Sequence, residues 1–311
     1  MLKFIVRRVF WTIPVMLVVI FLTFTMMRQI GGNPFRQSER AVTPAVQRNL
    51  ERKFNVDEPW YLQYAYYVKG VATFDLGPSL VIRGRGVNDI VKEHFPTSIE
   101  LGIYAFLFAI VVGVPLGMIA ALRHNTVVDY SAMFFSNVFH AVPSFLVATL
   151  LIYYFALQWG DVFNLPTSGW TTWKHKILPS IALGFAPMAL FARLVRGTML
   201  ETLQQDYVRT ARAKGLRHRR VVGLHVLRNS LIPVITAAGP LLGFIITGSF
   251  VIELIFNIPG IGQYFVTAVN ARDYSVVMGL TVLLSVIVIT ANLVVDILYG
   301  VLDPRTRDAR A

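Results

Sequence analysis

The sequence contains no cysteine, few acids and few charges of any kind: among 311 residues there are 17 Asp or Glu, and 15% of side chains are charged. The absence of cysteine excludes disulfides, thiolate metal centres and cysteine nucleophiles together, and it fixes no compartment. Catalytic signatures are missing too. The chain has no G-x-x-x-x-G-K-[ST] loop to cradle phosphates, no G-x-S-x-G, no H-E-x-x-H and no Asp pair on facing apolar segments. These gaps exclude ATP hydrolysis by this chain and leave an intramembrane protease without support. His140 is the only histidine well inside an apolar segment. It is read as a packed or hydrogen-bonded residue rather than a catalyst, and a metal site built within this chain is likewise unsupported.

What is present is apolar. Hydrophobic residues make up 55% of the chain, with 22 Phe and a mean hydropathy of +0.58, more apolar surface than a soluble domain can hide. A spanning helix needs about 20 apolar residues at 1.5 Å each. Six segments meet that length: 5–27, 98–122, 130–158, 177–196, 231–255 and 276–301. The first follows Lys3, Arg7 and Arg8 like a signal sequence but precedes no A-x-A-like cleavage site, and is read as a retained anchor. The expected fold is therefore all-α and polytopic, with an anchor helix at 1–27, a small extracytoplasmic helical cap at 28–97 and a five-helix core at 98–311. The net charge of +12 belongs to loops that face an anionic membrane surface rather than nucleic acid.

Orientation follows from the basic residues. Sixteen Lys and Arg lie in the N-terminus, the 123–129 turn, the 193–230 loop and the C-terminal tail; the other side holds thirteen, ten of them within 28–97. Long loops cross the membrane largely regardless of charge, so the short loops decide, by sixteen to three. Both termini and the loop at 197–230 are expected on the cytoplasmic side.

That loop contains "DYVRTARAKGLRHRRVVGLHVLRN" at 206–229, with seven Lys or Arg and one acid. Topology control alone requires no particular order. The order here predicts a short helix with small Ala211 and Ala213, stopped by Gly215 in a left-handed conformation, and a second short helix around Arg219 to Val226. A helix-Gly-helix element between two spans suits a surface knob presented to a soluble partner.

The same residues resemble the cytoplasmic loop of ATP-binding-cassette importer permeases. Against the general pattern E-A-A-x-x-x-G followed by I-x-L-P, only Ala211, Gly215 and Leu227 agree. "DYVRTARAKGL" and "LRNSLIP" are much more similar to the B-subunit type of the dipeptide, oligopeptide and nickel branch. The resemblance spans nearly the whole chain, through "RRVFWTIPV", "DEPWYLQY", "FPTSIELG", "VIELIFNIPGIG", "ARDYSVVMG" and "NLVVDILYGVLDPR". Departures at 31–34 and 74–80 bear on subfamily and substrate and leave the fold untouched.

The resemblance implies an importer of the prokaryotic plasma (inner) membrane in which two homologous permeases form the pathway for short peptides. Two cytoplasmic ATPases would drive it, holding ATP and magnesium, while this chain carries no cofactor; an extracytoplasmic binding protein would deliver substrate. It further implies that the coupling helix seated in the ATPase comprises Tyr207, Arg209, Thr210, Ala211, Arg212, Ala213, Lys214, Gly215 and Leu216. Nickel or another small solute is the alternative cargo. A self-contained channel or proton-driven carrier is the alternative class, and no inverted repeat supports it.

Other residues carry narrower expectations. Pro14, Pro115, Pro143, Pro187 and Pro240 fall inside the first five spans, where each favours a kink. Of Gly113-x-x-x-Gly117 and Gly239-x-x-x-Gly243, at least one is expected at a close helix contact. Thr247, Ser249 and Glu253 are pathway candidates, with Glu253 alternatively capping the turn that follows it. Thr43-Pro44 and Glu58-Pro59 read as N-cap and first helical residue of two cap helices. Trp60, Leu62, Tyr64, Tyr66 and Tyr67 make the second of these aromatic, and Trp60 and Tyr64 are candidates for docking or gating. Asp296, costly to leave unpaired in a membrane, is matched with Arg193 as a structural ion pair.

Overall fold

The computed structural model of the chain describes residues 2–30, 58–82, 84–247 and 249–302. Thr43-Pro44 lies outside the described residues. Thirteen α-helices are described: α1 (Leu2–Ile30), α2 (Trp60–Ala72), α3 (Val87–Leu122), α4 (Val127–Ala141), α5 (Ser144–Leu151), α6 (Gly160–Phe163), α7 (Trp173–Leu203), α8 (Asp206–Ala213), α9 (His218–Arg220), α10 (Arg228–Thr247), α11 (Phe250–Ile255), α12 (Ile261–Ala271) and α13 (Tyr274–Leu302). Among the described residues the β-structure is one isolated antiparallel bridge between Pro78 and Gly86. The all-α expectation holds.

Five stretches are long and apolar enough to cross a membrane: Phe10–Gln29, Val87–Leu122, Trp173–Leu203, His218–Ile255 and Tyr274–Val294. A sixth exists only as a bent pair, Val127–Ala141 with Ser144–Gln158, which turns through 104°. The expected straight segment at 130–158 is thus broken, and the cause is local. Pro143 has no N–H to donate and disfavours helical backbone at the residue before it, and Val142 is extended at φ −76° and ψ 125°. At Pro14, Pro115, Pro187 and Pro240 the helix continues through the proline. Two spans also begin earlier than hydropathy suggests. Helix α3 opens at Val87 rather than 98, and its 36 residues reach about 54 Å, well beyond an apolar layer of about 30 Å.

The chain divides into two packing units, and each is described by itself. Residues 99–258 and 290–302 form one; residues 2–30, 58–98 and 259–289 belong to the other. In the first unit α7 is the most enclosed span, with Leu178, Ala182, Ala189, Phe191, Ala192, Val195 and Met199 buried. Small residues allow this. A methyl group on Gly113 or Gly117 of α3 would lie 2.5 Å from the Met188 carbonyl oxygen or 2.3 Å from that of Ala192, and one on Gly184 would lie 2.5 Å from that of Ala105. The backbones of α3 and α7 therefore touch, as small-residue packing permits. For the second motif, Gly243 is buried.

In the second unit Val87, Ile90, Ile261, Ala268, Val276, Val277 and Leu280 form the core. Asp273 organises its loops. Buried, it accepts hydrogen bonds from the Ser79 hydroxyl, from the amides of Leu80 (3.1 Å) and Val81 (3.3 Å), and from Val276 N in the first turn of α13 (3.3 Å). Pro59 is the N-cap of α2, at φ −56° and ψ 142°, so the helix begins at Trp60, one residue later than expected.

Candidate coupling and translocation site

Helix α8 is eight residues long and two-faced. Val208 and Ala211, three apart and so on one face, are buried against Met199, Val221, Val222 and Val226. Tyr207, Arg209, Thr210, Arg212 and Ala213 remain exposed. The helix end is built as the sequence predicts. Gly215 sits at φ +74°, its amide reaches the Arg212 carbonyl at 2.9 Å and the Leu216 amide reaches that of Ala211 at 3.4 Å. This is the paired-bond termination in which a left-handed residue follows the last turn, and Leu216 packs back on the same apolar cluster as Ala211. Arg209 and Asp206 lie 3.7 Å apart with both side chains largely exposed, so their attraction is screened and contributes little.

The second short helix expected around Arg219 to Val226 is not a separate element. From His218 the chain is helical through α9, a π-helical stretch Val221–Leu227 and α10, as one membrane-length helix His218–Ile255. Val221 and Val226 are both fully buried, so the apolar seat of α8 is formed by the very start of that span. The roots of the loop are tied together. The Tyr207 hydroxyl accepts from Asn229 Nδ2 at 2.8 Å. Thr198 Oγ1 donates to the Ser230 carbonyl at 2.9 Å, and Ser230 Oγ donates to Thr202 Oγ1 at 3.1 Å. Helices α7 and α10 are thus cross-linked by side chains where α8 joins them.

A second cluster escaped the sequence reading. Asp129, fully buried in the first turn of α4, accepts from Arg196 Nε at 2.5 Å and Nη2 at 2.8 Å, and from the Asn125 amide at 3.1 Å; His124 Nδ1 lies 3.2 Å away. Two parallel guanidinium bonds fix geometry as well as charge. The clamp joins the α3–α4 turn to α7 about two turns before α7 ends at Leu203. The sequence places Asp129 in the 123–129 turn, whereas the helix starts at Val127 and buries the carboxylate, which then needs a partner. As for the pair Arg193–Asp296, the Asp296 side chain lies outside the described residues. Arg193 Nη1 donates to Asn137 Oδ1 at 3.2 Å.

The pathway candidates run from the end of α10 (Thr247) through Ser249 into α11 (Glu253). Ser249 and Glu253 are fully buried and bonded to each other, Oγ to Oε1, at 2.6 Å, while Thr247 donates to the Phe244 carbonyl at 3.1 Å. The Glu253 carbonyl also accepts from Ile258 N at 2.8 Å, a backbone bond that closes the "FNIPG" turn. At the other end of α7, Lys176 pairs with Glu100, whose carboxylate also accepts from Trp170 Nε1 at 2.8 Å; the ammonium lies 5.5 and 5.4 Å from the Tyr104 and Trp170 ring centres. In the second unit Trp60 is about half exposed. Tyr64 turns toward α1, donating to the Leu17 carbonyl at 3.1 Å with Phe21 and Phe24 edge-on at 5.7 and 5.9 Å. On the same helix burial pushes the Tyr67 phenol pKa up.

Residues 113–308 match the family model described as binding-protein-dependent transport system inner membrane component, and residues 1–102 match that of its N-terminal region. The chain belongs to this family. It is a multi-pass permease component of the ATP-binding-cassette importer type, without a nucleotide-binding motif of its own. The dipeptide transport system permease protein DppB of Bacillus subtilis is 47% identical over 99% of this chain and 98% of its own length. The oligopeptide transport system permease protein OppB of Salmonella typhimurium is 46% identical over 99% and 100%. Among solved structures, an inward-facing form of the MetNI methionine ABC transporter matches with a TM-score of 0.55 at 15% identity, over 69% of this permease and 96% of that chain. A second inward-facing form of MetNI matches with a TM-score of 0.56 at 17% identity. At those identities the likeness is one of fold.

Proposed function

We propose that this permease forms half of the translocation pathway of an ATP-driven importer of short peptides and couples it to cytoplasmic ATPases. The observation that carries the reading is similarity along essentially the entire chain to dipeptide and oligopeptide transport permeases. A second homologous permease supplies the other half of the pathway, two ATPases hold ATP and magnesium, and an extracytoplasmic binding protein delivers the peptide. Both termini and α8 face the cytoplasm, consistent with the excess of basic residues in the short loops expected on that side. Residues Tyr207 to Leu216 are the element the ATPase grips. Its exposed basic face meets the partner while Val208 and Ala211 hold it on the permease. The ties from Thr198 and Thr202 to Ser230 then carry its displacement into α7 and α10 together.

Reconstitution tests this directly. The permease, co-expressed with its neighbouring transport genes and purified, is expected to bring down ATPase chains and to move a labelled di- or tripeptide into proteoliposomes only with ATP and loaded binding protein. Uptake of nickel in place of peptide would transfer the mechanism to the other cargo. Uptake without ATP would overturn it.

A further inference from the structure

Helices α4 and α7 share a polar edge that the coupling role does not use. Asn137 lies ten residues beyond Val127, the first residue of α4, and His140 thirteen, so they stand about 15 and 20 Å along the helix. The charged turn Arg123–His124 marks the near edge of the apolar layer, whose full depth is about 30 Å. Asn137 is therefore near its middle and His140 still inside it, and both side chains are exposed on this chain. Three apart, they are surface neighbours on one helix edge. Two residues beyond His140 the backbone breaks and turns by 104°. Uncharged but polar groups at that depth, with a guanidinium beside them, are costly against lipid. This edge accordingly faces water or another protein chain.

Arg193 decides which chemistry it meets. Arg196, three residues further along α7, has its charge answered by the buried Asp129 in two bonds. Arg193 has a single hydrogen bond among the described residues, at 3.2 Å, and its acceptor is a neutral amide. A guanidinium carries five N–H donors in a planar fork whose geometry matches a carboxylate. We propose that Arg193, oriented by Asn137, is a carboxylate-reading site on the translocation path, taking the C-terminal carboxylate of a peptide in transit. The proposal rests on the peptide-importer reading above. The opposite end of a peptide, an ammonium, would be repelled there.

The test compares a tripeptide with a free carboxylate and the same tripeptide as its C-terminal amide. Uptake of each is measured in proteoliposomes holding the whole complex and normalised to the amount loaded on the binding protein, so that selection upstream drops out. The unmodified complex is expected to carry the free acid about tenfold faster than the amide, the effect of one charge-assisted pairing. Arg193→Gln should bring that ratio to about one. Arg193→Lys, which keeps the charge without the fork, should leave it in between and guards against a variant that fails to assemble. A ratio of one in the unmodified complex overturns the proposal. So does a ratio unchanged in Arg193→Gln while both rates fall together, because that is how a packing residue, or one paired with Asp296 or with the second permease, would behave. Uptake of neither peptide by an ATP-hydrolysing unmodified complex would instead sink the peptide reading, and this site with it.

Discussion

Replacing Gly215 perturbs the coupling element through its backbone alone. At φ +74° a side chain is strained whatever space surrounds it, and a methyl group built there meets no atom within 4 Å. Steric collision with the permease therefore contributes nothing, and the order of substitutions follows the cost of a left-handed residue. That cost is roughly 1–2 kcal/mol for an ordinary L-residue, less for Asn, whose short side chain tolerates the region, and most for a β-branched residue. Gly215→Asn should cost under about 1 kcal/mol, Gly215→Ala about 1 and Gly215→Val about 2. If the chain escapes the strain by leaving the left-handed region, it gives up the Gly215–Arg212 and Leu216–Ala211 bonds and swings α8 on its seat. The damage then falls on coupling more than on assembly. The assay is peptide taken up per ATP hydrolysed in reconstituted complexes. It should decline in the order Gly, Asn, Ala, Val, with the complex purifying intact throughout. Asn worse than Ala would show that side-chain bulk against the ATPase governs, and undiminished coupling with Val would refute the role assigned to this turn.

Two further outcomes follow from packing. Removing Arg196 leaves the buried Asp129 carboxylate without its main partner, at a cost of at most about 3–5 kcal/mol, the value typical of a fully buried pair, and removing Asp129 should cost less because the Arg196 side chain is about a quarter exposed. Asp129→Asn and Arg196→Gln should each lower the thermal stability of the purified complex, and the double variant should lose clearly less than their sum; additive losses would mean that the two do not act as a pair. Gly117→Ala forces a methyl to within 2.3 Å of the Ala192 carbonyl and should cost about 1–3 kcal/mol as overpacking. Gly197→Ala, on the same helix α7 as Ala192 with nothing within 4 Å, should be neutral or gain up to about 1 kcal/mol, so equal effects at the two sites would contradict the close α3–α7 contact.

The sequence was most legible where one residue type dictates one geometry. Gly215 announced a left-handed stop, Pro143 sat where a span breaks, and Gly113-x-x-x-Gly117 marked a backbone contact. Hydropathy located six crossing segments but set their ends poorly. It registers the apolar layer, whereas α3 and the helix from His218 continue past that layer on polar residues such as Asn88, Asp89 and Arg219. The same blindness split the loop after Gly215 into a short helix and a separate span. Partnering was harder still. Arg193 and Arg196 are one turn apart and alike in composition, and only the fold reveals that Asp129, 67 positions from Arg196, answers one of them. Tyr64 likewise reads as an exposed aromatic until α1 is seen beside it.

Because the chain has no cysteine, a single introduced thiol reports one position without background. Arg212→Cys, on the exposed face of α8, should form an adduct with the co-expressed ATPase through a short bifunctional thiol reagent, and nucleotide should change its yield as the ATPases close. Val162→Cys, equally accessible at 78% exposure but in the short helix α6, expected on the other side of the membrane, should give none. Adducts at Val162 and not at Arg212, or a yield at Arg212 indifferent to nucleotide, would contradict the claim that this element couples ATP hydrolysis to the pathway.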